Sequence, residues 1–240
     1  HLVQMGHDAG IPVISFDGLA KNTPTDAYVT AYSEKVGEMQ ALYVLANLAA
    51  DPQLKVAILE GEAGDDIAER ITAGNLTAFN QYPNVEVVVH QKHQAWDKDK
   101  AMATAENALS RYGAELDAIV ANNDGMALGA LQAVKAAGLM DEVMVVGADA
   151  DEDALLSVKA GELAATVNKD PIEMGETVLR VANSIARGLP IADGEYITED
   201  DIIMIENGEY SVPMVLTSVE LITCRNLAKM KYRYPDTPLE

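Results

Sequence analysis

The sequence predicts an α/β fold built on a mainly parallel sheet. Short apolar runs rich in branched side chains alternate with stretches of helical period, and nearly every run stops at a polar residue or a glycine. There is no internal repeat, low-complexity tract or flexible linker. "HLVQMGHDAG" (1–10) reads as the tail of a helix closed by Gly10, so the pattern is expected to continue upstream of His1. "IPVISFD" (11–17) is the first strand. Residues 33–51 carry Val36, Met39, Leu42, Tyr43 and Ala46 at helical spacing, and "KVAILEG" (55–61) is the next strand. A helix over 65–83 has acids in its first turn, where they complement the helix dipole. "VEVVVHQ" (85–91), a helix over 97–113, "AIVA" (118–121) and a helix ending at Gly138 follow. Then come "VMVVGAD" (143–149), a helix over 151–160, "LAATVN" (163–168) and a helix over 171–188 with Pro171 in its first turn. Asn207-Gly208 between two apolar runs predicts a hairpin.

Composition narrows function by exclusion. The formal charge of -21 opposes nucleic acid, whose binding rests on Lys and Arg neutralising phosphates, and opposes an anionic membrane surface. No apolar run approaches the roughly 18–20 residues that cross a bilayer. The single cysteine, Cys224, excludes an intrachain disulfide and a cysteine-based zinc site.

In an open parallel sheet, ligands sit beyond the carboxyl ends of the strands. Those ends carry Asp17, then "EGEAGDD" with Arg70 in the helix that follows, then Trp96 (the only tryptophan), then Asn122, Asn123 and Asp124, then Asp149, then Asn168 and Asp170. Carboxylates accept from hydroxyls, amides both donate and accept, arginine donates in a planar fork, and an indole face covers an apolar ring face. The set suits a neutral polyhydroxylated ligand. Each residue also has a plainer reading: one of Asn122–Asp124 caps a helix, Arg70 pairs with Glu69 or Asp66, Trp96 fills core, and Asp149 caps the helix at 151–160. The run from Asp149 begins like a calcium loop but has Ala154 and Ala160 where glycine and glutamate are required. No phosphate loop, nucleophile elbow or zinc-protease motif is present. His90 and His93 read as a solvated pair, and no metal, cofactor or catalysis is expected.

The stretch "AIVANNDGMALGALQAVKAAG…VMVVGADADEDALLSVKAGELAATVNKDP" resembles the type I periplasmic sugar-binding proteins of ABC importers, the galactose/glucose, xylose and ribose binders in particular. The similarity runs from "AGIPVISFD" to "VPMVLTSVELITCRNL". It implies sugar contacts at Asp17, Arg70, Trp96, Asn123, Asp149 and Asn168, with a further polar contact at Asp66 or its neighbour Asp65. Asn123 is then expected to hold a hydroxyl while Asn122 and Asp124 shape the turn and the cap.

The resemblance also implies the periplasmic-binding-protein type I fold: two lobes of parallel sheet flanked by helices, sugar between them, and three crossovers near Thr30–Tyr32, Val167–Lys169 and Ser211–Pro213. The lobes would be 1–31 plus 169–210, an incomplete N-terminal lobe, and 32–167 plus 211–240. The lobe's opening strands and helices, and the galactose-type calcium loop, have no counterpart in the sequence. The implied partners are a monosaccharide such as galactose, glucose, xylose or ribose, an ABC permease and a membrane sensor. The implied location is the periplasm or a lipid-anchored extracellular position. The effector core of a LacI-type regulator shares the fold, but the matching segment "LMDEVMVVGADA" lacks the proline, serine and aromatic expected of it.

Overall fold

The computed structural model describes residues 1–48 and 53–239. The described chain is α/β with largely parallel sheets flanked by helices, as predicted, and it divides into two compact units. The first comprises 1–32 and 169–219, the second 33–168 and 220–240.

In the first unit, helix α1 (Leu2–Asp8) precedes strand β1 (Ile14–Phe16), which pairs in parallel with β2 (Ala27–Ala31). Strand β9 (Tyr210–Thr217) runs parallel to β2, and β8 (Ile202–Asn207) closes the sheet as an antiparallel partner of β9. The predicted hairpin is present, with Gly208 at φ +70° in its two-residue loop. Helix α7 (Pro171–Ala186) lays Val178, Val181 and Ile185 against Ala27, Val29 and Val215. Because β9 is hydrogen-bonded to β2 along Met214–Leu216, it belongs to this unit throughout. The chain therefore leaves the unit after β9, later than the Ser211–Pro213 crossover expected from the sequence. Strand β2 is not among the strands predicted from the sequence, although all five of its residues are buried.

In the second unit, four parallel strands run in the order β4-β3-β5-β6: β3 (Leu54–Glu60), β4 (Val85–Lys92), β5 (Ala118–Ala121) and β6 (Met144–Val146). A parallel bridge from Val146 to Ala165 continues the order toward β7 (Thr166–Lys169), which pairs with β10 (Val219–Ile222). Both faces of the sheet are covered, so its strands read as continuous apolar runs. The side chains nevertheless alternate. Val56, Ile58, Ala118 and Val120 meet helices α2 (Ser33–Leu48) and α3 (Asp66–Phe79). Ala57, Leu59, Ile119 and Ala121 meet α4 (Lys98–Tyr112), α5 (Asp124–Ala137) and α6 (Glu152–Lys159). The tail after β10 adds Leu227, Met230 and Leu239 to this second core. The predicted end of α2 at 49–51 lies outside the described residues.

Helices α2 and α3 touch through backbone. A Cβ built on Gly37 would lie 1.8 Å from the Ile71 carbonyl oxygen, and one on Gly74 would lie 2.0 Å from that of Glu34. Neither contact can relax by a rotamer change, so Gly37→Ala or Gly74→Ala is expected to destabilise the unit by about 1–3 kcal/mol or more. Gly175, within α7, has open space around its missing Cβ and no positive φ. Gly175→Ala is expected to stabilise by about 0.5–1 kcal/mol. Urea denaturation of the three variants checks both signs.

Candidate functional site

The carboxyl edge of the second unit's sheet is assembled strand by strand. After β3 the chain turns at Gly61, and Asp65 caps α3 by accepting from the Ile67 and Ala68 N–H groups at 2.8 and 3.3 Å. Asp65 is thereby the cap, and Asp66, half-buried, opens the helix. After β4, Ala95 and Trp96 adopt left-handed backbone (φ 60° and 54°), uncommon for residues with a Cβ. This turn lays the half-buried indole over Gly61, where an added Cβ would meet the ring at 2.6 Å. Only glycine admits that approach. Glu62 braces the same turn by accepting from the Ala95 N–H at 3.2 Å and from the Gln94 amide.

The three polar residues after β5 divide their work differently from the sequence expectation. Asn123 is the cap: its Oδ1 accepts from the Met126 N–H at 2.9 Å. Its carboxamide NH2 is left on a half-buried side chain. Asn122, fully buried, ties the edge together, with Oδ1 accepting from the Gly61 N–H at 3.0 Å and the Thr72 hydroxyl at 3.2 Å. Asp124, also fully buried, reaches forward to the next loop. Its Oδ2 accepts from the Asp151 N–H at 2.9 Å and its Oδ1 from the Thr166 hydroxyl at 2.8 Å. Gly147 makes room for it, since a Cβ there would lie 2.2 Å from Oδ1. Burial pushes the Asp124 carboxyl well above the usual carboxylate range, and the neighbouring Asp149 carboxylate adds to the shift.

The loop after β6 is strained and fully tied. Asp149 (φ 112°) and Ala150 (φ 54°) both sit at positive φ. The Asp149 N–H donates to the Val167 carbonyl at 2.8 Å, the Ala150 N–H to Thr166 Oγ1 at 3.1 Å, and the Asp151 N–H to Asp124. Asp149 therefore does not cap α6, whose N-cap is Asp151. At the end of β7, Asn168 is buried, with Oδ1 accepting from Arg233 Nη1 at 2.6 Å and its NH2 lying 3.3 Å from the Tyr232 hydroxyl. The same Nη1 donates to the Asp149 carbonyl at 3.0 Å.

Of the residues the sequence points to, Asp66, Arg70, Trp96, Asn123, Asp149 and Asn168 lie in the second unit. Arg70 sits further along α3 and grips Glu34 of α2 bidentately, Nε to Oε1 and Nη2 to Oε2 at 2.7 Å each. Asp17 belongs to the first unit, at the end of β1 with φ 60°, its carbonyl accepting from the Tyr28 hydroxyl at 2.7 Å. Asp170 caps α7 through the Ile172 N–H. His90 and His93 are not a solvated pair. His93 is buried with its ring nitrogens 3.0 Å from the Glu60 carbonyl and from Thr104 Oγ1, and His90 sits against the Glu60 carboxylate. Arg233 is not predicted by the sequence, where nothing in "KYRYP" sets it apart.

A profile of the periplasmic binding protein domain matches residues 1–190. The chain belongs to the periplasmic binding protein family. It is 31% identical over 191 residues to the D-xylose-binding periplasmic protein of Escherichia coli K12, a match covering 78% of this chain and 57% of that one. With the D-allose-binding periplasmic protein of the same organism it shares 36% identity over 169 residues, covering 70% and 53%. The chain thus spans a little over half the length of these two relatives. Among solved structures, an ABC transporter solute-binding protein of Bacillus halodurans with bound myo-inositol superposes with a TM-score of 0.77. That pair is 32% identical, and the match covers 97% of this chain and 73% of that one. These relatives are binding proteins.

The raised Asp124 value has a stability consequence whose sign is fixed. Between the unfolded aspartate value, about 3.9, and the raised folded value, the unfolded chain releases a proton that the folded chain keeps, so this contribution falls as pH rises. Asparagine cannot titrate, yet it can accept from the Asp151 N–H and donate to Thr166 Oγ1. Asp124→Asn is expected to fold and to gain stability relative to wild type as pH rises from 4 upward. Asp124→Ala strands two donors and is expected to cost about 2–5 kcal/mol near pH 4, a deficit relative to wild type that narrows as pH rises because alanine also lacks the titrating group. Thermal melts of the three proteins across pH 4–8 measure both effects.

Proposed function

We propose that this chain binds a monosaccharide at the carboxyl edge of the second unit and serves as the solute-binding component of an ABC importer. The observation that carries the reading is that Trp96, Asn123 and Asp149 follow three strands of one four-stranded parallel sheet, with Asn168 on β7, which the Val146–Ala165 bridge joins to that sheet. An indole face, two carboxamides and a carboxylate at a rim match the alternating C–H faces and hydroxyls of a pyranose or furanose. Asp66 and Arg70 extend the set along α3, where Arg70 also grips Glu34. Asp17 enters the proposal through the resemblance.

The names of the relatives support a sugar or cyclic polyol as ligand: D-xylose, D-allose and, in the solved structure, myo-inositol. They equally support a periplasmic location. Among the described residues no helix is long and apolar enough to cross a membrane. The residues of the edge perform binding without chemistry.

Trp96 is the only tryptophan, so its fluorescence reports directly on this edge. Titration with D-xylose, D-allose, D-ribose, D-glucose, D-galactose and myo-inositol is expected to give a saturable change with at least one of them. Asn123→Ser keeps a capping oxygen but removes the carboxamide donor. It is expected to leave the melting temperature nearly unchanged while weakening the bound sugar about 10- to 100-fold by calorimetry. Silence with all six ligands, or an unaltered affinity in the serine variant, counts against the reading.

A further inference from the structure

We propose that Arg233, from the C-terminal tail, is a positioning residue of the sugar site, and that it sets Asn168 to act as a hydrogen-bond donor toward the ligand. This deepens the sugar-binding reading and rests on it.

The geometry is specific. One terminal nitrogen of the guanidinium uses both its hydrogens at this edge, on Asn168 Oδ1 at 2.6 Å and on the Asp149 carbonyl at 3.0 Å. The other terminal nitrogen donates to the Tyr234 hydroxyl at 3.0 Å. A single side chain therefore pins the ends of two strands that supply two of the candidate contacts. The oxygen of the Asn168 carboxamide is committed to a charged donor, the stronger class of hydrogen bond. Among the described residues its NH2 faces the hydroxyl of Tyr232, at 3.3 Å, on a residue that is half exposed. That long contact is the one a sugar oxygen can replace. Arg233 also closes the set of bonds holding the strained Asp149–Ala150 turn, whose three successive N–H groups are tied elsewhere.

The tail is built to hold Arg233 in place. Leu227, Met230 and Leu239 are buried in the core shared with α4, α5 and α6. The Thr237 hydroxyl meets Glu152, Lys231 donates to the Thr237 carbonyl at 2.8 Å, and Lys159 donates to the Pro238 carbonyl. A lysine ammonium keeps donors for these acceptors but lacks the second terminal nitrogen that anchors the group on the Tyr234 hydroxyl, so it holds the geometry less firmly.

The test is a double-mutant cycle by calorimetric titration of the chain with the sugar that saturates wild type. Asn168→Ala, Arg233→Ala, their combination and Arg233→Lys are compared, each checked by thermal melt. Arg233→Ala is expected to weaken binding about tenfold or more, Arg233→Lys to recover part of that loss, and the double variant to lose less than the product of the single losses, as coupled neighbours do. If the alanine variant does not fold, the lysine variant carries the test alone, with an affinity equal to wild type overturning the proposal. Multiplicative losses, or full affinity in Arg233→Ala, overturn the positioning role and leave the sugar reading standing. Wild type that binds none of the six ligands overturns both.

Discussion

The carboxyl edge depends on one buried carboxylate. Asp124 opens α5 yet spends both oxygens on the next loop, on the Asp151 N–H and the Thr166 hydroxyl. Thr166 in turn accepts from the Ala150 N–H, so a chain of hydrogen bonds joins the ends of β5, β6 and β7. Two consecutive residues at positive φ persist in the middle of it. Such backbone survives only where its surroundings over-determine it. Enclosing Asp124 disfavours its charged form, and the hydrogen bonds it accepts offset part of that cost.

A second buried network backs the first from the other face of the sheet. The Gln40 carboxamide of α2 donates to the Ala121 carbonyl at 2.7 Å and the Gly147 carbonyl at 2.9 Å, where β5 and β6 end. Asn75 of α3 donates to Gln40 Oε1 at 3.1 Å and to the Gly37 carbonyl at 2.8 Å. These side chains can meet only because Gly37 and Gly74 let the two helix backbones touch. Close helix packing and fixed loop geometry are therefore one constraint. The polar groups between α2, α3 and the strand ends are buried, and each satisfied bond narrows the arrangements the edge can adopt.

Much of this is legible in the sequence because parallel sheets covered on both faces advertise themselves. "KVAILEG" and "AIVA" are apolar nearly throughout, and each stops at the residue that turns toward the edge. The strand-end rule then marks a wider set, Asp17, Arg70, Trp96, Asn122, Asn123, Asp124, Asp149, Asn168 and Asp170, without ranking its members. What stays hidden depends on partners distant in sequence. "AYVTA" is too short and too mixed to read as a strand until β9 and β1 flank it. Three polar residues in a row cannot reveal which one caps, because the choice rests on Thr72, Thr166 and Asp151. His93 looks solvated until the Glu60 carbonyl and Thr104 enclose it. Arg233 has no local signal at all, since its acceptors lie 65 and 84 positions earlier.

These separations bear on how rigid the edge can be. The Asp149–Ala150 turn is fixed by residues from α5, β7 and the tail, and none of those elements is its immediate neighbour in sequence. Closing such loops costs entropy that grows only slowly with length, so distant anchors add little cost beyond that of near ones. In return, the loop cannot loosen without disturbing the core that holds Leu155, Met230 and Leu239 together. An edge made this way is ordered by its own hydrogen bonds, and under the proposed function little binding energy would go into ordering it. Rigidity at Asp149 and Asn168 is thus a property of the whole second unit, from α2 to the last residues of the tail, and not of the loops that carry them.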